Sequence, residues 1–261
     1  MAVLLLDFES TGVDVSKDRI TEIGAMITSD DFQEVLAGMN FLVHDSDYPP
    51  LTEEVVKITG ITPDMLVDAC SPEEMMAHLA EALTPYLKEL VGVIAYNVQF
   101  DRGLFFHEIN RQAATMLPSI NQVVQVPWLC AMRDVEANSK CKSMKLMHVA
   151  LDHGVSVNPK ELHRAIADVE LMRKMLVEVK ETFYSMLAFN EEPSVYVMAN
   201  VRPPWEDGGE SSNIAKSLGF SWQVARGDDT GRVIKNRWVR KVKHKDWVKL
   251  QETSPLKLAL I

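Results

Sequence analysis

Apolar residues come in short uninterrupted runs near the start of this chain and at helical spacing further on, and the two textures predict different elements. Val3-Leu4-Leu5-Leu6 is an apolar run bounded by polar positions, the pattern of a strand covered on both faces, and we expect it to span residues 3–12. Residues 19–27 repeat the texture, with Gly24 marking a close approach of two backbones, and Phe41-Leu42-Val43 supplies a third strand. Turn residues at Gly12, Asp14 and Asp30-Asp31 join the three as an antiparallel meander. Thr52-Glu53-Glu54 opens a short helix that Gly60 ends. Ser71-Pro72-Glu73-Glu74 is a second helix start, with Ser71 as N-cap, and the helix is predicted to run to about Leu90 with Met75, Leu79, Leu83 and Leu87 on one face. A buried strand follows at 91–96, then a helix at about 102–116. Beyond it we expect a strand at 123–129, a helix from near Cys130, a helix at 142–153 stopped by Gly154, and a helix over 162–181 carrying Val169, Met172, Met175, Leu176 and Val179. Strands and helices alternating in this way predict an α/β fold.

Composition changes the picture near residue 190. The formal net charge is −10, yet from Ser194 onward 12 Lys and Arg face 7 Asp and Glu, leaving 15 against 30 for residues 1–193. We therefore expect a main domain at 1–186, a linker at 187–193 and a small basic module at 194–261 that holds four of the five tryptophans. In that module strands are predicted at 195–199, 236–241 and 247–250, with a helix at 212–218. So small a unit needs large side chains in its core, so packing is the expected role of the tryptophans. Three cysteines, an odd number, argue against a disulfide framework. Cys130, Cys141, His148 and His153 match no standard zinc spacing. No apolar run is long enough for a membrane span, and a cytoplasmic location is expected, the host cytoplasm if the gene is a phage's.

The candidate chemistry begins where the first strand ends. Asp7 and Glu9 are two apart, so on extended backbone they project to one side. Like charges that close repel, and burial sharpens the repulsion, so a hard divalent cation is the natural partner. Two solvated acids at a strand end are the plain alternative. Asp101 stands at a strand-to-helix junction, where open α/β sheets place their sites, although a helix cap explains it equally well. His163 and Asp168 are five apart, which is not one helical face; His163 suits the entry to the helix, with Asp168 inside it.

These residues together resemble a known family. Asp7-Phe8-Glu9 with Thr11-Gly12, then Asn97 and Phe100-Asp101, then His163-x-Ala-x-x-Asp168 stand in the order of the three motifs of the DnaQ-like, DEDDh 3′-to-5′ exonucleases, and residues 19–24 and 58–62 are similar to that family as well. The resemblance covers about residues 1–186. It implies a ribonuclease H-like mixed sheet, an antiparallel meander plus parallel strands flanked by helices; the tail's own pattern adds a small α+β module after it. It also implies that Asp7, Glu9, Asp101 and Asp168 hold two Mg²⁺, with Mn²⁺ able to substitute, and that His163 is the general base. Phe8, Thr11, Gly12 and Asn97 become candidate contacts to the terminal nucleotide, with packing or turn formation as their other reading. The implied substrates are single-stranded DNA or frayed duplex 3′ ends, with RNA as the alternative. A DNA polymerase or other replication protein is the implied partner, in replication, repair or phage DNA metabolism, and a non-catalytic polymerase subunit is the rival. The module around Trp222 and Trp238 resembles small accessory modules of phage and plasmid proteins, and its basic residues suit a phosphate backbone or an acidic protein.

Overall fold

The computed structural model describes residues 1–112, 117–141, 143–158, 163–202, 204–223 and 237–260. The chain divides into two compact units, Met1–Asn190 and Glu191–Ile261.

The first unit is built on a five-stranded sheet in the order β3-β2-β1-β4-β5. Strands β1 (Ala2–Ser10), β2 (Ile20–Ser29) and β3 (Val35–Leu42) form the antiparallel meander, while β4 (Leu90–Ala95) and β5 (Trp128–Cys130) run parallel to β1. Alternation along β1 sends its side chains into two cores. Leu4, Leu6 and Phe8 pack with α2 (Pro72–Leu83), α3 (Val98–Gln112) and α4 (Pro118–Gln125), which follow the short α1 (Glu53–Thr59). Val3 and Leu5 pack on the other face with α5 (Leu146–Asp152), α6 (Ala165–Glu178) and α7 (Phe183–Glu191). Asp7 and Glu9 continue that second face. Their position beside α6 follows from the period of two.

Local signals explain where the helices begin. Thr52 caps α1 through Val55 N, and Gly60 closes it in the left-handed region at φ 69. Ser71 and Glu74 form a reciprocal capping box on α2. That helix stops at Leu83, not near Leu90 as expected, because Pro85 cannot continue it; residues 84–86 tighten to a 3-10 turn and Leu90 already belongs to β4. The strand expected at 123–129 begins inside α4 and is extended only at its end, in Trp128–Cys130, and a turn plus the 3-10 segment Glu136–Lys140 replaces the helix expected from Cys130. Most of the expected linker 187–193 is the end of α7.

The second unit has a four-stranded sheet, β7-β8-β6-β9, made of β6 (Ser194–Asn200), β7 (Ser221–Gln223), β8 (Arg237–Lys243) and β9 (Lys257–Leu260). Helices α8 (Pro204–Asp207), α9 (Glu210–Ser217) and α10 (His244–Thr253) complete it. Val197, Ala199, Ala215, Phe220, Val242 and Trp247 are its buried centre, against which Trp238 packs. Residues 247–250, expected as a strand, lie in α10: Trp247 and Leu250 are three apart and share a helical face as readily as they fit a short strand. Packing accounts for Trp247 and Trp238, whereas Trp205 is 85% exposed. Of the expected basic surface, Arg240 donates inward to Leu218 O and Lys245 pairs with Glu192, while Arg232 and Lys235 lie outside the described residues.

Candidate active site

The parallel pairing of β1 with β4 ends at Leu5↔Ile94, so beyond it the edge of β1 is unpaired on that side. Phe8 N–H would be an orphaned donor there. It donates to Asp101 Oδ1 at 3.2 Å, from the first turn of α3. Asp101 thus comes over the sheet's carboxyl edge and closes the gap between β1 and β4.

On the α6 side, oxygens of Asp7, Glu9 and Asp168 all lie within 4.8 Å of one another, and this is the only such group of potential ligands among the described residues. Asp168 Oδ1 is buried without a hydrogen-bond partner. Burial, then the charges of Asp101, Asp168, Glu9 and Glu22, push the Asp7 carboxyl well above its usual range. Burial and the charges of Asp168, Glu22 and Asp101 push Glu9 up to about 8, against a smaller lowering by Arg164. Burial raises Asp101 to about 7, the bond from Phe8 N opposing it. Burial raises Asp168 as well, while His163 holds it down through charge and backbone. An all-carboxylate donor set with an unsatisfied buried oxygen fits a hard divalent cation.

Two residues not singled out from the sequence hold this arrangement. Glu22 lies directly across the ladder from Glu9 and is fully buried. Its carboxylate accepts from Arg164 Nε at 3.1 and 3.0 Å, from Arg164 Nη2 at 2.7 Å, and from Ala165 N at 3.2 Å. The N-cap residue of α6, Arg164, makes no side-chain cap bond, so Glu22 of β2, distant in sequence, satisfies the helix's first N–H. Gly24, opposite Asp7, makes the contact possible: a Cβ there would stand 2.3 Å from the Ala165 carbonyl carbon and from Ile166 N. The spacing of strand and helix motifs does not carry this information; only the β1–β2 register does.

The remaining candidates divide. His163 is exposed just before α6, in the left-handed region at φ 63, beside Asp168. Asn97 is exposed at the β4–α3 turn, its backbone oxygen accepting from Phe100 N at 2.8 Å. Phe8 is not brought to the site: it is 4% exposed, its ring 6.2 Å from that of Phe105, because β1 alternates and places it opposite Asp7 and Glu9. Thr11 is buried, and its hydroxyl donates to Asp18 Oδ1 at 2.9 Å and accepts from Arg19 N at 3.0 Å, so it closes the loop that follows β1. Gly12 packs on the Asp18 carboxylate, where a Cβ would lie 2.5 Å away. Cys141 and His153 approach to 3.7 Å, but His148 turns to Ser143 instead, so no zinc set forms from these residues.

A family model described as exonuclease, RNase_T, matches residues 4–176. The chain belongs to this exonuclease family. Its DEDDh motif order is the one read from Asp7, Glu9, Asp101, His163 and Asp168. The exonuclease domain is 31% identical over 185 residues to a DNA polymerase III of PolC type from Staphylococcus haemolyticus, a match spanning 68% of this chain and only 12% of that polymerase. Among solved structures, Exonuclease X in complex with 5′ overhanging duplex DNA superposes with a TM-score of 0.52 at 20% identity, covering 72% of this chain and 98% of that one. The nuclease domain of 3′hExo, a DEDDh family member bound to rAMP, gives 0.54 at 16% identity, covering 67% of this chain and 90% of that one. The likeness in these two is one of fold, a mixed sheet flanked by helices. No helix of the described residues is long and apolar enough to cross a membrane.

Proposed function

We propose that this exonuclease domain hydrolyses DNA from the 3′ end and releases nucleoside 5′-monophosphates, with Asp7, Glu9, Asp101 and Asp168 binding two Mg²⁺ or Mn²⁺ ions. The observation that carries the reading is the convergence of Asp7, Glu9 and Asp168 within 4.8 Å, together with the buried, unpartnered Asp168 Oδ1. Divalent cations held there would supply Lewis-acid stabilisation of the charge that develops on the phosphoryl oxygens. The chain's own residues do the rest. His163, at the exposed entry to α6, takes a proton from the attacking water as its oxygen bonds to phosphorus, and returns it to solvent. The bond from phosphorus to the 3′ oxygen breaks, and that oxygen leaves as the new 3′ hydroxyl after taking a proton from solvent. Asn97 is exposed at the mouth of the site and suits a hydrogen bond to the terminal nucleotide.

Similarity to a segment of a DNA polymerase III of PolC type supports proofreading beside a polymerase, and the DNA-bound Exonuclease X supports DNA as substrate. The rAMP-bound relative favours the second reading, trimming of RNA 3′ ends. Matched DNA and RNA oligonucleotides with Mg²⁺, with Mn²⁺ and with EDTA decide between them. Asp7→Ala and Asp168→Ala are expected to abolish mononucleotide release; retained activity in both ends the proposal.

A further inference from the structure

Helix α3 has two faces. Asp101, Leu104, Phe105 and Glu108 are buried, and the opposite face borders an open groove of about 360 Å³ lined by Val98, Gln99, Arg102, Phe106, His107 and Trp128. That volume is at the small end of ligand clefts, roughly 300–1,000 Å³. Arg102 directly follows Asp101, so the groove begins on the turn that reaches the carboxylate cluster. The Arg102 guanidinium lies 5.0 Å from the centre of the Phe106 ring. It has no carboxylate partner among the described residues, although residues 1–193 carry a net −15. A guanidinium placed by a ring and not by an acid keeps its donors for an anion. Trp128 is fixed beside it: its Nε1 donates to Val123 O at 2.9 Å, and its ring centre stands 6.2 Å from that of Phe106.

Resting on the exonuclease reading above, we propose that this groove is a subsite for the strand upstream of the scissile bond. Arg102 takes a phosphate, and the wall made by Phe106 and Trp128 takes a base. The length agrees: five residues from Asp101 to Phe106 rise about 7.5 Å along the helix, roughly two stacked nucleotides at about 3.4 Å each. Base on aromatic and phosphate on cation is the pairing by which single strands are bound without sequence preference. A protein partner would need a patch of about 800 Å², more than this groove offers.

The test compares two substrates of the full chain, a single-stranded 12-mer and the p-nitrophenyl ester of thymidine 5′-monophosphate, which is too short to reach the groove. Arg102→Ala is expected to raise KM for the 12-mer about tenfold relative to KM for the ester, with kcat for the 12-mer held. It should also flatten the salt dependence of 12-mer binding by about 0.7 in log–log slope, the share of one phosphate on a single strand. Phe106→Leu is expected to shift the same KM ratio without changing the salt slope. An equal change for both substrates would overturn the proposal, because Arg102 would then act through Asp101. No change for either would overturn it too, since the strand would then pass elsewhere. If the wild type fails to hydrolyse the ester, the exonuclease reading falls instead, and binding of the 12-mer in EDTA still reads the groove.

Discussion

Glu9 and Glu22 face each other across the β1–β2 ladder, and two carboxylates in that register repel. Arg164 compensates Glu22 with three hydrogen bonds and leaves Glu9 to be neutralised by a proton or a cation. The sign of the resulting pH dependence follows. Glu9 is held at about 8 and Asp101 at about 7 in the folded chain, above the usual carboxylate range, so between about pH 4.5 and 8 the cation-free folded state binds more protons than the unfolded one. Stability in EDTA should therefore fall as pH rises through that window, and saturating Mg²⁺ should flatten the fall. Thermal melts at pH 5 and pH 8, with and without Mg²⁺, check this; pH-independent melts in EDTA would contradict it. His163→Ala should cost about 10²–10⁴ in kcat with Mn²⁺ affinity held, whereas lost affinity would make His163 a ligand. At this scale the five motif residues were legible because acid and imidazole chemistry is written in residue type. Glu22 and Arg164 were not, since their meaning arises only when β2 is set in register against β1. For Phe8 the structure favours packing, the second of its two readings, as the period of two that places it opposite Asp7 requires.

At the scale of elements, α6 is where the site is most exposed to damage. Its first turn lies on bare backbone at Gly24 and is capped by Glu22. Gly24→Ala puts a Cβ into that backbone and should cost about 1–3 kcal/mol, as overpacking does, with a loss of kcat because Asp168 moves with the helix. Glu22→Ala removes the cap and the ion pair together and should cost about 2 kcal/mol, the range of hydrogen bonds to a charged group. Urea unfolding and kcat, measured on the same samples, separate both from a neutral surface change. The approach at Gly24 was legible in the sequence as a glycine inside a strand pattern. The end of α2, the helix α4 and the helix α10 were not, for three reasons. Pro85 outweighed a continuing apolar face, and the pair Val123-Val124 in α4 reads as strand by propensity. Trp247 and Leu250 fit either period.

For the molecule as a whole, the division at Asn190/Glu191 leaves each unit with its own buried centre. A chain ending at Asn190 should keep a cooperative thermal transition and hydrolyse short oligonucleotides at the rate of the full chain; loss of both would tie the second unit to the fold of the first. The shift in charge and tryptophan content near residue 190 made two units legible. It did not make legible that Arg240, Lys243 and Lys245 bond within their own unit, because pairing depends on tertiary neighbours. The proposed function of the first unit depends on carboxylates from β1, α3 and α6 acting as one cation site. Titration of Mn²⁺ into the full chain, read by the electron paramagnetic resonance of free ion, tests that most directly. The account predicts two bound ions per chain and the loss of both or of one in Asp168→Ala. Equal Mn²⁺ binding by the wild type and Asp168→Ala would contradict it.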